Sequence, residues 1–471
     1  RYSYDMLGEA ALTQPDAERY MQAYRDAIGA LGEKWGQIPL SSDRTKSTDQ
    51  RRQLTESDPI LDAPSISIKL SALHPRYEVA KRARVQAELA SKLLELAQLA
   101  KKNSICLTVD AEEADRLELS LDVIAAVHAD ASLDGYQGFG LAVQAYQKRA
   151  PFVIDWLAEQ AKKVGRRFCV RLVKGAYWDS EVKRAQEGGH AGYPVYTRKP
   201  NTDVSYLACA KKLFDYGTAF YPAFATHNAH TIAAIHHMAR GRPFEFQRLH
   251  GMGTDLYAEV MGPKNLDVPC RVYAPVGSHE DLLPYLVRRL LENGANTSFV
   301  NRIVDESVPI KDLVADPVEV VRANTIKPHP RIPQPIDLYE SADSSQRRKN
   351  SMGVNLGNDN ELRKLADDVA SVPTNWAATP LVPGAKSGEA LQDVTNPADR
   401  REKIGTKQQA DQATIERALK NAADAQPAWD ATPAASRAAL LEHAASLLEA
   451  RMPAYMAMCT KEAGKTLPDG I

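Results

Sequence analysis

The feature that most constrains this chain is an alternation of short β-rich runs with longer helical stretches over roughly its first 300 residues. Candidate strands cover residues 2–6, 65–69, 104–110, 138–144, 167–173, 220–226, 244–249 and 269–274. Helical patterns such as 85–102, 112–129, 150–164 and 204–213 lie between most of them. Strands separated by helices pair in parallel through right-handed crossovers, and eight of them are enough to close a (β/α)8 barrel. An open doubly wound sheet is the other arrangement this pattern allows, but no glycine-rich phosphate loop follows the first run. The barrel is the better reading.

Two polar segments interrupt the pattern. Residues 37–64 read as a long loop or disordered insertion, and residues 341–385 as a linker. Beyond the linker the composition shifts to Ala- and Leu-rich helical patterns at 410–425 and 434–463. We therefore expect a barrel over 1–340 and a separate unit over 386–471. Lys plus Arg total 59 against 60 Asp plus Glu, a formal charge of −1, which gives no electrostatic reason to expect nucleic acid as the main partner. With 44% hydrophobic and 25% charged residues, the chain is neither disordered nor fibrous. No stretch of about 18 apolar residues is present to span a bilayer. The five cysteines are scattered without metal-ligand spacing, so no metal site is expected, and they read as reduced thiols of a cytoplasmic protein. The first residues lack the features of a signal peptide, and the chain reads as a fragment or the ordered part of a longer protein.

In a barrel of this kind, chemistry belongs at the C-terminal ends of the strands. Those ends carry Glu9, Lys69, Asp110, Gln144, Arg171 with Lys174, Thr226 with His227, and Tyr273. Each alone has a plain explanation: an Asp caps the next helix, a Lys snorkels to solvent, a His is structural. Together they describe a polar, ligand-filled mouth. A helix over 281–292, DLLPYLVRRLLE, places Tyr285, Arg288, Arg289 and Glu292 within about 100° of arc. Leu283, Leu286, Val287, Leu290 and Leu291 take the other side. An ordinary surface helix has the same pattern, yet adjacent guanidinium groups also make a bidentate clamp for a carboxylate.

Six motifs carry a resemblance: VRLVKGAYWDSE (170–181), GYPVYTRK (192–199), FATHNAHT (224–231), FEFQRLHGMG (244–253), CRVYAPVG (270–277) and YLVRRLLENGANTSFVNR (285–302). In this order they resemble the proline dehydrogenase barrel of the bacterial bifunctional proline utilisation flavoproteins. The likeness runs from Arg1 to about Leu338, and only 37–64 departs from it. It implies a distorted (β/α)8 barrel with FAD at the C-terminal face, oxidising L-proline to Δ1-pyrroline-5-carboxylate and passing electrons to a membrane quinone. A cytoplasmic, homo-oligomeric parent protein attached peripherally to the inner membrane is also implied.

The resemblance assigns roles residue by residue. Lys69, Arg288 and Arg289 are expected to hold the proline carboxylate, with Glu9 orienting Arg288. Tyr177, Tyr273, Leu256 and Ala176 are expected to wall the proline ring. Asp110 and Arg171 take the catalytic roles, and Gln144 joins them at the flavin. Val173, Lys174, Gly175, Ala176, Trp178, Thr197, Lys199, Thr226, His227 and Glu292 are expected to contact the rest of FAD. The chemistry agrees, because withdrawing electrons from the carbon beside the ring nitrogen needs positioning, cations and an apolar wall, and no nucleophile.

VTNPADRREKIGT (394–406), AWDATPAASRAALLEHAASLLEARM (428–452) and CTKEAGKTLPD (459–469) resemble the opening of an aldehyde dehydrogenase domain. In the bifunctional family that domain oxidises glutamate semialdehyde with NAD. Its catalytic Cys, general-base Glu and NAD loop are expected downstream of Ile471, and Cys459 reads as a structural thiol. Two other functions were weighed. A different flavin barrel, such as a methylenetetrahydrofolate reductase relative, would lack the paired arginines. A DNA-binding autoregulator would need a ribbon-helix-helix segment, which these residues do not contain.

Overall fold

The computed structural model describes residues 1–8, 10–37, 59–277, 282–283, 285–287, 309, 311, 314–340, 348–385 and 390–471. They divide into two compact units, Arg1–Asn350 and Ser351–Ile471.

In the first unit eight parallel strands close into a barrel: β1 (Tyr2–Met6), β2 (Ser65–Ile68), β3 (Cys106–Val109), β4 (Phe139–Gln144), β5 (Phe168–Val173), β6 (Phe220–Ala225), β7 (Glu245–Leu249) and β8 (Cys270–Val276). β8 returns to β1, with Ser3 opposite Tyr273 and Met6 opposite Val276. That pairing excludes the open sheet.

Side chains alternate across the barrel wall. One set, including Ile66, Leu107, Phe139, Val170, Phe224 and Phe246, is apolar and fully buried, each contributing about 1.5–3 kcal/mol. The alternate set faces the lumen and is largely polar: Ser3, Asp5, Ser65, Ser67, Thr108, Arg171, Glu245, Gln247 and Arg271 are all buried, with small side chains such as Ala142 and Ala223 beside Arg171. Lumens of such barrels are usually filled by branched apolar side chains. This one is filled by hydrogen bonds. At Gly140 on β4 the wall is too tight for any side chain, since a Cβ there would lie 1.8 Å from the Cys169 carbonyl oxygen.

Helix Gln14–Gly36 begins with a capping box between Thr13 and Asp16, a device that satisfies two otherwise orphan donors. Its Tyr24 hydroxyl accepts the backbone N–H of Lys69 at 3.1 Å, so the helix fixes the point where β2 ends. The segment read as an insertion is in part structural. Residues 38–58 lie outside the described set, but Pro59–Leu61 forms a 3-10 turn and Leu61 and Ala63 are buried. Their carbonyls accept Arg271.

The second unit holds a three-stranded sheet of order β10–β11–β9, from β9 (Trp376–Ala378), β10 (Gln392–Thr395) and β11 (Lys403–Lys407). Part of the stretch read as linker belongs here. Residues 351–385 contain helix Asp359–Ala370, capped by the Asn358 side chain, and β9 itself. The helix buries only Leu365, and the three residues of β9 are ordered by pairing with β11, so neither leaves a strong periodic signal.

Candidate active site at the barrel mouth

Four of the expected residues meet where β2, β3, β5 and β8 approach the mouth. Lys69, one residue beyond β2, donates to Asp5 at 2.7 Å and to Asp110 at 3.4 Å. Arg171 donates to Asp110 at 2.6 Å, and the Tyr273 hydroxyl donates to the other Asp110 oxygen at 2.9 Å. The Arg171 guanidinium also lies over the Tyr273 ring, 4.8 Å from its centroid, within cation–π range. Two cations, two carboxylates and a phenol thus share one buried cluster.

Its electrostatics are uneven. Burial would raise the Asp110 carboxyl, but Lys69 and Arg171 outweigh it and hold Asp110 below its ordinary value. Among the described residues Asp5 has one cationic partner, Lys69, and there burial prevails and raises the carboxyl. Burial opposes the charge on Lys69, yet Tyr273, Asp5 and Asp110 together keep its ammonium well above the usual range. Burial and the same two carboxylates push the Tyr273 phenol far up. The cluster therefore keeps Lys69 charged, Asp110 ionised and Tyr273 a hydrogen-bond donor.

Arg171 is not a strand-end residue, as its sequence position suggested, but sits inside the lumen two residues short of the end of β5. Its Nε donates to Gln247 at 2.8 Å, and one terminal nitrogen donates to Ser3 and Ser67 at 3.1 and 2.9 Å. With the bond to Asp110, four of the five guanidinium N–H groups have partners among the described residues. Below it, Gln247 donates to Glu245 at 2.8 Å, and Glu245 forms a two-point ion pair with Arg271 at 2.7 and 3.0 Å. Arg271 overcomes the burial of Glu245 and holds that carboxyl below its ordinary value.

The remaining expected residues fall into separate groups. Gln144, the last residue of β4, donates to the Glu112 carbonyl at 2.8 Å. Lys174 and Lys199 both pair with one carboxylate, Asp203. Val173 ends β5, its carbonyl accepting the Ala145 N–H at 2.8 Å, and Ala176 lies beyond it in the loop. Gly175 takes φ +140°, where a Cβ would overlap the Tyr146 ring at 2.4 Å, so the loop lies flat on that ring only because the residue is glycine. Trp178 packs on the apolar cluster of Tyr146, Val182, Ala185, Tyr193 and Val195, and its indole N–H donates to the Tyr196 carbonyl at 2.8 Å. The Thr197 hydroxyl accepts the His329 N–H at 3.0 Å. Thr226 follows β6 and its carbonyl accepts the Tyr257 hydroxyl at 2.7 Å. His227 Nε2 accepts the Leu249 N–H at 3.2 Å, so the ring carries no proton on that nitrogen. Tyr177 and Leu256 are half-buried and Ala176 is exposed, and none is bonded to the lysine–aspartate cluster.

Glu9, Arg288, Arg289 and Glu292 lie outside the described residues. The described residues next to Arg288 show a pattern of their own. Tyr285 is buried, while Leu283, Leu286 and Val287 are exposed. An amphipathic surface helix with its apolar side inward would show the reverse.

Residues missed from the sequence are Asp5, Ser3, Ser67, Gln247, Glu245 and Arg271. They lie inside the lumen rather than at strand ends, and the period-two pattern of Ser3–Asp5, Ser65–Ser67–Lys69 and Glu245–Gln247 is the signal that marks this inward face.

The residues present fit a flavin. Arg171 is a fixed cation with four N–H groups bonded among the described residues, and Lys174 and Lys199 bring two ammonium groups to one loop, donors of the kind that bind phosphate. The model of the proline dehydrogenase family matches residues 1–302, and that of the aldehyde dehydrogenase family residues 384–470. The bifunctional proteins PutA of Klebsiella aerogenes and Escherichia coli (strain K12) are 49% and 48% identical to this chain over 485 residues, covering 100% of it and 35% of each relative. A crystal structure of a bifunctional proline utilization A protein superposes with a TM-score of 0.83 at 47% identity, covering 100% of this chain and 42% of that one. The chain spans about a third of the length of the curated relatives it matches. The families to which these residues are similar generally use FAD for the first activity and NAD for the second.

Proposed function

The chain belongs to the proline dehydrogenase family, and on that premise we propose that its barrel oxidises L-proline to Δ1-pyrroline-5-carboxylate with FAD held at the strand C-termini. The observation that carries the proposal is the cluster of Lys69, Asp110, Arg171 and Tyr273. When bound, FAD accepts the two electrons that leave the ring carbon beside nitrogen. The chain's own residues bind, orient and exclude water.

Lys69 donates two N–H groups to Asp5 and Asp110 and keeps a third for the proline carboxylate, which Arg288 and Arg289 clamp from the other side. Tyr273, Tyr177, Leu256 and Ala176 form the apolar wall. Arg171, held by Asp110 and by the lumen, presents positive charge to the flavin edge, where negative charge develops on reduction. Gln144, Val173, Lys174, Gly175, Trp178, Thr197, Lys199, Thr226, His227 and Glu292 hold the rest of the cofactor. Glu9 orients Arg288.

Electrons pass on to a quinone at a membrane surface, to which the protein docks peripherally. Among the described residues no helix is long and apolar enough to cross a membrane. In the longer, homo-oligomeric parent protein the second unit opens an NAD-dependent glutamate semialdehyde dehydrogenase, a reading supported by the family match over 384–470.

The test is a visible absorbance spectrum of the purified chain, recorded before and after anaerobic addition of L-proline or D-proline. Flavin bands that bleach with the L isomer alone are expected. Bands that persist with L-proline would remove the substrate assignment, and absence of flavin after reconstitution would remove the cofactor with it.

A further inference from the structure

The lumen beneath Arg171 contains an unbroken chain of side chains that the reaction as described does not use. Arg271 on β8 is anchored to the carbonyls of Leu61, Ala63 and Tyr2 at 2.8, 2.6 and 3.3 Å. It grips both oxygens of Glu245. Glu245 accepts the amide N–H of Gln247, two residues along the same inward face of β7, and the Gln247 oxygen accepts Arg171 Nε. Each link is 2.6–3.0 Å long, apart from the 3.3 Å contact to Tyr2.

The direction of every bond is fixed. A carboxylate only accepts and a guanidinium only donates, so the amide between them can have one orientation: nitrogen toward Glu245, oxygen toward Arg171. The reverse setting would face two donors together at one end and two acceptors at the other. Gln247 is also neutral. A carboxylate in its place would cancel the charge of Arg171 from below and lie against Glu245, and an apolar side chain would leave Nε without a partner. An amide holds the guanidinium and leaves its charge intact.

We propose that Gln247 is a positioning residue of the proline dehydrogenase site, which locks the Arg171 guanidinium to the barrel floor through Glu245 and Arg271 so that its remaining N–H and the positive charge it keeps beside Asp110 are directed at the flavin. The inference rests on the flavin reading above. It concerns the orientation of one side chain and adds no step to the reaction.

The test uses the FAD-loaded chain and two variants, Gln247→Glu and Gln247→Met, with the flavin midpoint potential as the principal readout. FAD affinity and the melting temperature of the FAD-free chain are measured alongside. In Gln247→Glu the neutralised guanidinium should make the bound flavin harder to reduce, shifting the reduction equilibrium roughly tenfold, or about 30 mV for a two-electron couple. Gln247→Met retains the charge and frees the guanidinium, so the shift should have the same sign and be smaller, with kcat lowered more than KM. A purely structural role would lower the melting temperature and leave the potential of retained flavin unmoved, which overturns the proposal. If Gln247→Glu does not fold, the potential of Gln247→Met decides alone. Wild-type chain that takes up no FAD would remove the flavin reading and this inference with it, whereas wild-type chain that binds FAD beside variants of unchanged potential removes this inference only.

Discussion

Two arginines in the same lumen are bonded differently. Arg271, at the floor, uses all five N–H groups, on Glu245 and three backbone carbonyls. Arg171, nearer the mouth, uses four among the described residues, and the partner it shares, Asp110, is divided among Arg171, Lys69 and Tyr273. A saturated guanidinium can only hold the wall together. One that retains a donor, above a carboxylate with several claimants, can respond to a ligand. The floor is framework and the mouth is the proposed site, and Gln247 is the link between them.

That contrast breaks most strongly at the floor. Replacing Glu245 by Leu strands the buried Arg271 charge, which costs about 3–5 kcal/mol. A urea titration should show the loss, and a change below about 1 kcal/mol would mean the floor pair is not structural. At the mouth, Arg171→Met should leave a folded protein whose kcat falls roughly 10²–10³-fold. Equal loss of stability in both variants would erase the distinction drawn here.

Acid should also separate the two ends. Glu245 is held low, so its contribution is complete above the ordinary carboxylate value and is lost as pH falls through its folded value. Asp5 is held high, so the fold loses stability as pH rises from about 4 through the raised value. The melting temperature of Asp5→Asn relative to wild type should therefore climb with pH over that window. That of Glu245→Gln relative to wild type should fall over the acid range. Parallel curves would contradict the assigned shifts. The smallest expected effect is Tyr273→Phe, which keeps the ring against Arg171 and removes one hydrogen bond to Asp110, about 0.5–1.5 kcal/mol by thermal denaturation.

Much of the barrel was legible because its signal is local. The expected strand at 2–6 and helix at 150–164 coincide with Tyr2–Met6 and Ala150–Val164. Other boundaries drift for identifiable reasons. The third strand starts at Cys106 rather than 104 because Ser104 takes φ +52°. The eighth runs on to Val276 because β1 offers Asp5 and Met6 as partners, which no reading of residues 269–274 alone can anticipate. Position near the strand ends singled out Lys69, Asp110, Arg171 and Tyr273, the resemblance assigned their roles, and the geometry brings these four together. The period-two pattern marks Asp5 as inward-facing, but its pairing with Lys69 has meaning only once β1 lies beside β2. Gln247 was missed for the same reason, because its partners are on other strands or concealed as an ordinary Glu two residues away.

The polar lumen also bears on how the chain reaches its native state. Its ions find their partners across long stretches of sequence: Arg171 reaches Ser3 over 168 residues, and Arg271 reaches Ala63 and Tyr2 over 208 and 269. Before β8 meets β1, an incomplete barrel would have to desolvate charges without compensation, so it keeps its interior wet. Contacts this distant form slowly. Ring closure should accordingly be the late, cooperative event of folding, and lumen amides on β1 and β8 should gain protection from hydrogen exchange together and last.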